Sequence, residues 1–88
     1  MNPIITIDKV VDVIAVFKKD KNKKTNCLPA KIRYQNQEII IKQLALYHPT
    51  KAGQRTIHVF DVSDGQNDYR LEFDTQNLIW RLMAMTIN

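Results

Sequence analysis

Two glycines, one cysteine, one serine and three prolines in 88 residues leave little room for several kinds of chemistry. A phosphate-cradling loop or a dinucleotide fingerprint needs clustered glycines, whereas Gly53 and Gly65 stand alone. Cys27 has no partner for an internal disulfide, so nothing asks for an oxidising compartment. Ser63 lies beside Asp61 and Asp64, acids that would oppose the negative charge developing in acyl transfer. The apolar stretch Val10–Phe17 is interrupted by Asp12 and followed by lysines, so it is neither a membrane span nor a cleaved leader. His48 and His58 are ten residues apart and Cys27 is remote from both, which is not a zinc spacing. The acids Asp61, Asp64 and Asp68 lack the bidentate Glu that a calcium loop places six residues beyond its glycine, where Leu71 stands. The sequence therefore predicts a cytoplasmic protein with no catalytic residues, no cofactor and no metal.

What is present is a β-forming chain. Ile, Val and Thr together number 23, against 13 for Ala, Leu and Glu. Side chains branched at Cβ lose freedom against a helical turn and pack well on a pleated surface. At 10.3 kDa the chain has one core, exposing about 5,400 Å² when compact. The fold class expected is all-β: about six antiparallel strands in a meander, forming a small barrel or a strongly bent sheet. The strands fall at about Val10–Lys18 with Ile4–Ile7 as a prelude, then Ala30–Tyr34, Glu38–His48, Arg55–Val62, Tyr69–Asp74 and Leu78–Thr86. Pro29 suits the first position of its strand. The third segment changes phase between Ile39/Ile41 and Leu44/Leu46, which requires a bulge or bend near Gln43. Pro49–Gln54 reads as a loop, and Ser63–Asn67 is the strongest turn signal. Tyr69, Leu71 and Phe73 should face inward, as should Leu78, Trp80 and Leu82. Met83, Met85 and Ile87 should lie opposite Trp80 and, with Ile40, leave an apolar patch that a second copy would cover.

The pattern Pro29, Ile32, Tyr34, then Ile39–Ile41, then a basic strand leading into Asp64-Gly65, resembles a group of small uncharacterised bacterial all-β proteins. Tyr69, Leu71, Phe73, Asp74, Trp80 and Leu82 continue the resemblance, which covers about residues 13–85. It implies a fold and transfers no functional residue. The lysine-rich stretch departs from that group, whose members have a short turn before the proline.

Residues 1–55 carry 11 basic and 4 acidic side chains, and residues 56–88 carry 2 and 5. The excess concentrates in an expected hairpin loop, 18–28, within a single domain spanning 1–88. The leading functional expectation is a non-enzymatic binding or protein-interaction module, with an unidentified protein partner or self-association through a sheet edge. The alternative is binding of nucleic acid or another polyanion. Lys18, Lys19, Lys21, Lys23, Lys24, Lys31 and Arg33 would meet phosphates, and Tyr34 would stack a base.

Overall fold

The computed structural model describes residues 2–19, 21 and 25–88. Seven strands form one antiparallel sheet: β1 (Ile4–Lys19), β2 (Thr25–Tyr34), β3 (Gln37–Ile40), β4 (Gln43–Ala52), β5 (Arg55–Ser63), β6 (Asp68–Asp74) and β7 (Ile79–Thr86). Their order is β3-β2-β1-β7-β6-β5-β4, a meander bent on itself but not closed by a ladder between β3 and β4. The all-β expectation holds, with seven strands where six were expected. The segment expected at Glu38–His48 is split at Ile41-Lys42, the neighbourhood where the phase change demanded a bend. Ile41 donates its amide to Ala30 of β2 (3.0 Å) and Lys42 donates to Ser63 of β5 (2.8 Å). These two bonds bring the opposite ends of the sheet together at one point.

Strand β1 makes the other corner. Ile4–Val11 pairs with β7 and Asp12–Lys19 pairs with β2. A register shift between Thr6 and Lys9, with Asp8 at φ 50°, kinks the strand before it changes partner. The bend folds β1–β2–β3 over β4–β7, and the core lies between. Ile32, Phe60, Val62, Leu71 and Leu82 are fully buried there, and Val11, Tyr69, Phe73 and Trp80 complete the cluster.

Several local expectations are corrected. The loop expected over 18–28 is mostly strand: Phe17 pairs with Cys27, Lys18 with Asn26 and Lys19 with Thr25. Apolar cross-strand pairs such as Val16–Leu28 hold this β1–β2 arm together against the lysine repulsion. Pro29 lies inside β2, next to a bulge opposite Ile14 and Ala15, rather than at its start. Strand β4 runs through Pro49, which an edge strand tolerates, and turns only at Gly53-Gln54, with Gly53 at φ 65°. A bulge in β7 at Met83, between the pairs Leu71–Leu82 and Arg70–Ala84, reverses the side-chain phase, so Met85 packs on the core instead of outside. Leu78 does not face inward. It sits in the Thr75–Leu78 turn at φ 57°, 74% exposed.

That last position gives a direct test. A left-handed backbone costs a residue with a Cβ roughly 1–2 kcal/mol, and an exposed leucine returns nothing for it. Leu78→Gly should stabilise the protein by about 1 kcal/mol after the extra unfolded-state entropy of glycine, raising Tm by about 4–8 °C. A lowered Tm would show that Leu78 packs on something.

The Ser63–Asn67 turn closes as its sequence suggests. Asp64 Oδ1 accepts the amides of Gln66 (2.8 Å) and Asn67 (2.7 Å), and the Tyr69 hydroxyl donates to Oδ2 (3.1 Å). Partial burial pushes this carboxyl upward, but the Asn67 and Gln66 amides and the Tyr69 hydroxyl outweigh it and hold Asp64 below the usual carboxylate value. A lowered folded-state value stabilises above the unfolded value and is lost as pH falls through the folded one. Asp64→Asn should therefore lower Tm at pH 7 and much less near pH 2. A Tm gap that does not narrow in acid would contradict this role.

Candidate functional site

The described members of the lysine-rich set do not share one face. Strand alternation puts Lys31 and Arg33 on the outer face of β2 and Ile32 and Tyr34 on the inner face. Tyr34, expected beside those cations, is half-buried against the core and points away from them. Lys31 is paired with Glu38 (Nζ–Oε2 3.1 Å), and Arg33 stands opposite Asp12 in the ladder. Lys18, Lys19 and Lys21 are exposed near the tip of the β1–β2 arm, whereas Lys23 and Lys24 lie outside the described residues. Acidic neighbours thus offset the cations of β2, while Lys18, Lys19 and Lys21 are exposed toward the arm's tip.

A different site lies under that arm. The core fills the space between the two layers at one end, where Ile32, Leu71 and Leu82 have no exposure. Toward the tip the layers diverge around a cleft of about 370 Å³. Phe17, Cys27 and Leu28 form its upper wall. Leu44 and Tyr47 of β4, with His58, Phe60 and Phe73 of β5 and β6, form its floor and far side. Asn26 and Thr75 stand at its margin, and among the described residues no Asp or Glu lines it. Phe17 remains 65% exposed and Tyr47 43% exposed, although both belong to an apolar lining.

The floor is one aromatic train. Tyr47 stacks on His58 (centroids 5.8 Å, planes 13° apart) and tilts against Phe60 at 5.0 Å. Phe60 and Phe73 both pack on Trp80, at 5.5 and 4.5 Å, the latter stacked. The Tyr47 Oη–His58 Nδ1 hydrogen bond of 2.6 Å fixes the imidazole and the phenol together at the cleft wall. These rings are locked by the sheet behind them, so the surface is preformed. Sequence reasoning placed Phe73 inward on its strand and found no metal-ligand spacing at His58. It gave no sign that Phe17 would hang over them.

Nucleophilic chemistry is disfavoured at Cys27. Burial pushes the Cys27 thiol up, which keeps it protonated and a weak nucleophile. Among the described residues, no cluster of His, Cys, Asp and Glu is placed to hold a metal ion. No helix of the described residues is long and apolar enough to cross a membrane. What the cleft offers is shape, apolar surface and a few hydrogen-bonding groups, the ordinary composition of a ligand pocket. Comparison of the chain with family models, with curated proteins and with solved structures finds no match to any of the three.

Proposed function

We propose that this protein is a non-enzymatic, cytoplasmic binding module that takes an apolar group into the cleft between the β1–β2 arm and β4–β5–β6. The observation carrying this reading is the aromatic lining itself. A domain of this size gains its stability by covering rings such as Phe17 and Tyr47, yet both stay open to solvent over a preformed cavity. The accessible surface agrees: 6419 Å² against about 5,400 Å² for a compact chain of this mass. Self-association through a sheet edge has weaker support. Edge strand β4 carries a bulge at Ala45 and Pro49, and β3 is four residues long, all devices that discourage strand pairing.

A neutral apolar fluorophore, N-phenyl-1-naphthylamine, tests the cleft. It should bind saturably at one site, and Tyr47→Asp should weaken it at least tenfold without changing the far-ultraviolet spectrum. Arg33→Ser should leave it unchanged. Equal binding by wild type and Tyr47→Asp would refute the cleft. Salt-sensitive oligonucleotide binding that survives Tyr47→Asp would favour the polyanion reading in its place.

A further inference from the structure

We propose that the outer face of the β1–β2–β3 layer is a homodimer interface, on which a second copy packs face to face with its β1 antiparallel to the first. The cleft lies against the other face of this layer, so the dimer does not rest on it.

The face is apolar where a solvated sheet is normally polar. Val11, Val13 and Ala15 of β1 pack on the core, which sends Val10, Asp12, Ile14, Val16 and Lys18 outward. The ladder sets Lys31 and Ile40 beside Ile14, and Leu28 beside Val16. Val10 and Ile14 are each 59% exposed, and Ile40 is 56% exposed. An antiparallel sheet with one wet face keeps its aliphatic side chains on the dry one. Here Val10, Ile14, Val16, Leu28 and Ile40 fall together on the wet side of three adjacent strands, the mark of an interaction surface.

Charge selects a second copy and fixes its orientation. Along the outer face of β1 the order is Asp12, Ile14, Val16, Lys18: an acid, two aliphatics and a base. Consider a two-fold axis between the faces, perpendicular to β1 and midway between Ile14 and Val16. It sets Asp12 against Lys18 of the second copy and Ile14 against Val16 of the second copy, each contact occurring twice. Lys31 falls inside the footprint already paired with Glu38 at 3.1 Å, so its charge enters with a partner. An axis along the strands would instead lay β1 over β3 of the second copy. That arrangement presses Asp12 on Glu38 and Arg33 on Arg33, like charge on like.

Shape agrees with the antiparallel choice. The third strand of the layer ends at Ile40, and the chain leaves toward β5 at Lys42. The space it vacates beside Leu28 is a shallow depression, with Val16, Ile41 and Leu44 also in its lining. The same two-fold axis brings Ile40 of each copy over this depression in the other.

Area sets the strength. Three strands about 4.8 Å apart, over the length Val10–Lys18, give a footprint of roughly 14 by 27 Å, or about 400 Å². Stable complexes bury about 800 Å² per partner. The dimer is therefore reversible, with a dissociation constant in the micromolar range.

Sedimentation equilibrium from low-micromolar to near-millimolar concentration should show monomer passing to dimer and stopping there. Ile14→Glu should weaken the dimer by about tenfold or more with an unchanged circular dichroism spectrum, because the new carboxylate stands beside Lys31 in the ladder. Leu46→Glu, exposed on β4 away from this face, should change nothing. Asp12→Lys and Lys18→Glu should each weaken self-association by about tenfold or more, since each turns both symmetry-related pairs from attraction to repulsion. Mixed in equal amounts, the two variants should form a heterodimer as tight as the wild-type dimer, because every acid of one then faces a base of the other. A wild type that stays monomeric near millimolar concentration, or a dimer that survives Ile14→Glu, would overturn the interface. Charge variants that dimerise like wild type, or a mixture that associates no better than its components, would overturn the antiparallel arrangement.

Discussion

Trp80→Ala is expected to lower the unfolding free energy by about 3–5 kcal/mol. Trp80 is 8% exposed and stacks on Phe73 with centroids 4.5 Å apart, while Phe60 tilts against it at 5.5 Å. Truncation removes the indole's own burial and leaves a cavity beneath both phenylalanines. The hydrogen-bonded sheet behind them cannot collapse to fill it, so the cavity cost adds to the lost transfer energy. A domain of this length has roughly 4–13 kcal/mol in all, so the variant should be marginal at room temperature. Urea titration followed by circular dichroism reads it out. A loss below about 1 kcal/mol would mean that the rings do not form one packed unit.

Ile32→Ala should cost about 2–5 kcal/mol, whereas Ile40→Ala should stay within about 0.5 kcal/mol. Both are isoleucines in the β1–β2–β3 layer, on neighbouring strands. Ile32 has no exposure and carries that layer's contact with Phe60, Leu71 and Leu82, while Ile40 is 56% exposed on the outer face. Both truncations remove the same atoms from the same residue type, so the contrast reads the difference in burial. Equal losses at the two positions would contradict the folding of one layer over the other.

The elements legible in the sequence are those set by neighbours along the chain. Strict alternation placed Tyr69, Leu71 and Phe73 inward, and the Asp64-Gly65 signal placed the turn before β6. The phase change after Ile41 marked the bend between β3 and β4. The misreadings come from bulges and from partners far along the chain. The extra residue at Met83 reverses the phase of β7, and no local pattern distinguishes it from regular alternation. Lys19 read as loop because charge runs usually are, but pairing with Thr25 makes it strand. Tyr34 looked like a neighbour of Lys31 and Arg33 because it follows them in sequence, and the pleat sends it to the other face.

The candidate site was less legible still, for the same reason. Phe17, Tyr47 and Phe73 come from β1, β4 and β6, and they share a cleft only because β1 changes partner at Val11–Asp12. Each of these aromatics alone fits a core position. Only the divergence of the two layers toward the arm's tip leaves them lining a space instead of filling it.

The measurement that bears most directly on the cleft is chemical-shift mapping of the isotope-labelled protein on addition of the neutral naphthylamine probe. The backbone amides of Phe17, Leu28, Leu44, Tyr47, His58 and Phe73 should move together and saturate with one dissociation constant. Those of Arg33 and Glu38 on the outer face should stay still. Perturbations centred on Ile14, Lys31 and Ile40, or scattered without saturation, would contradict the account.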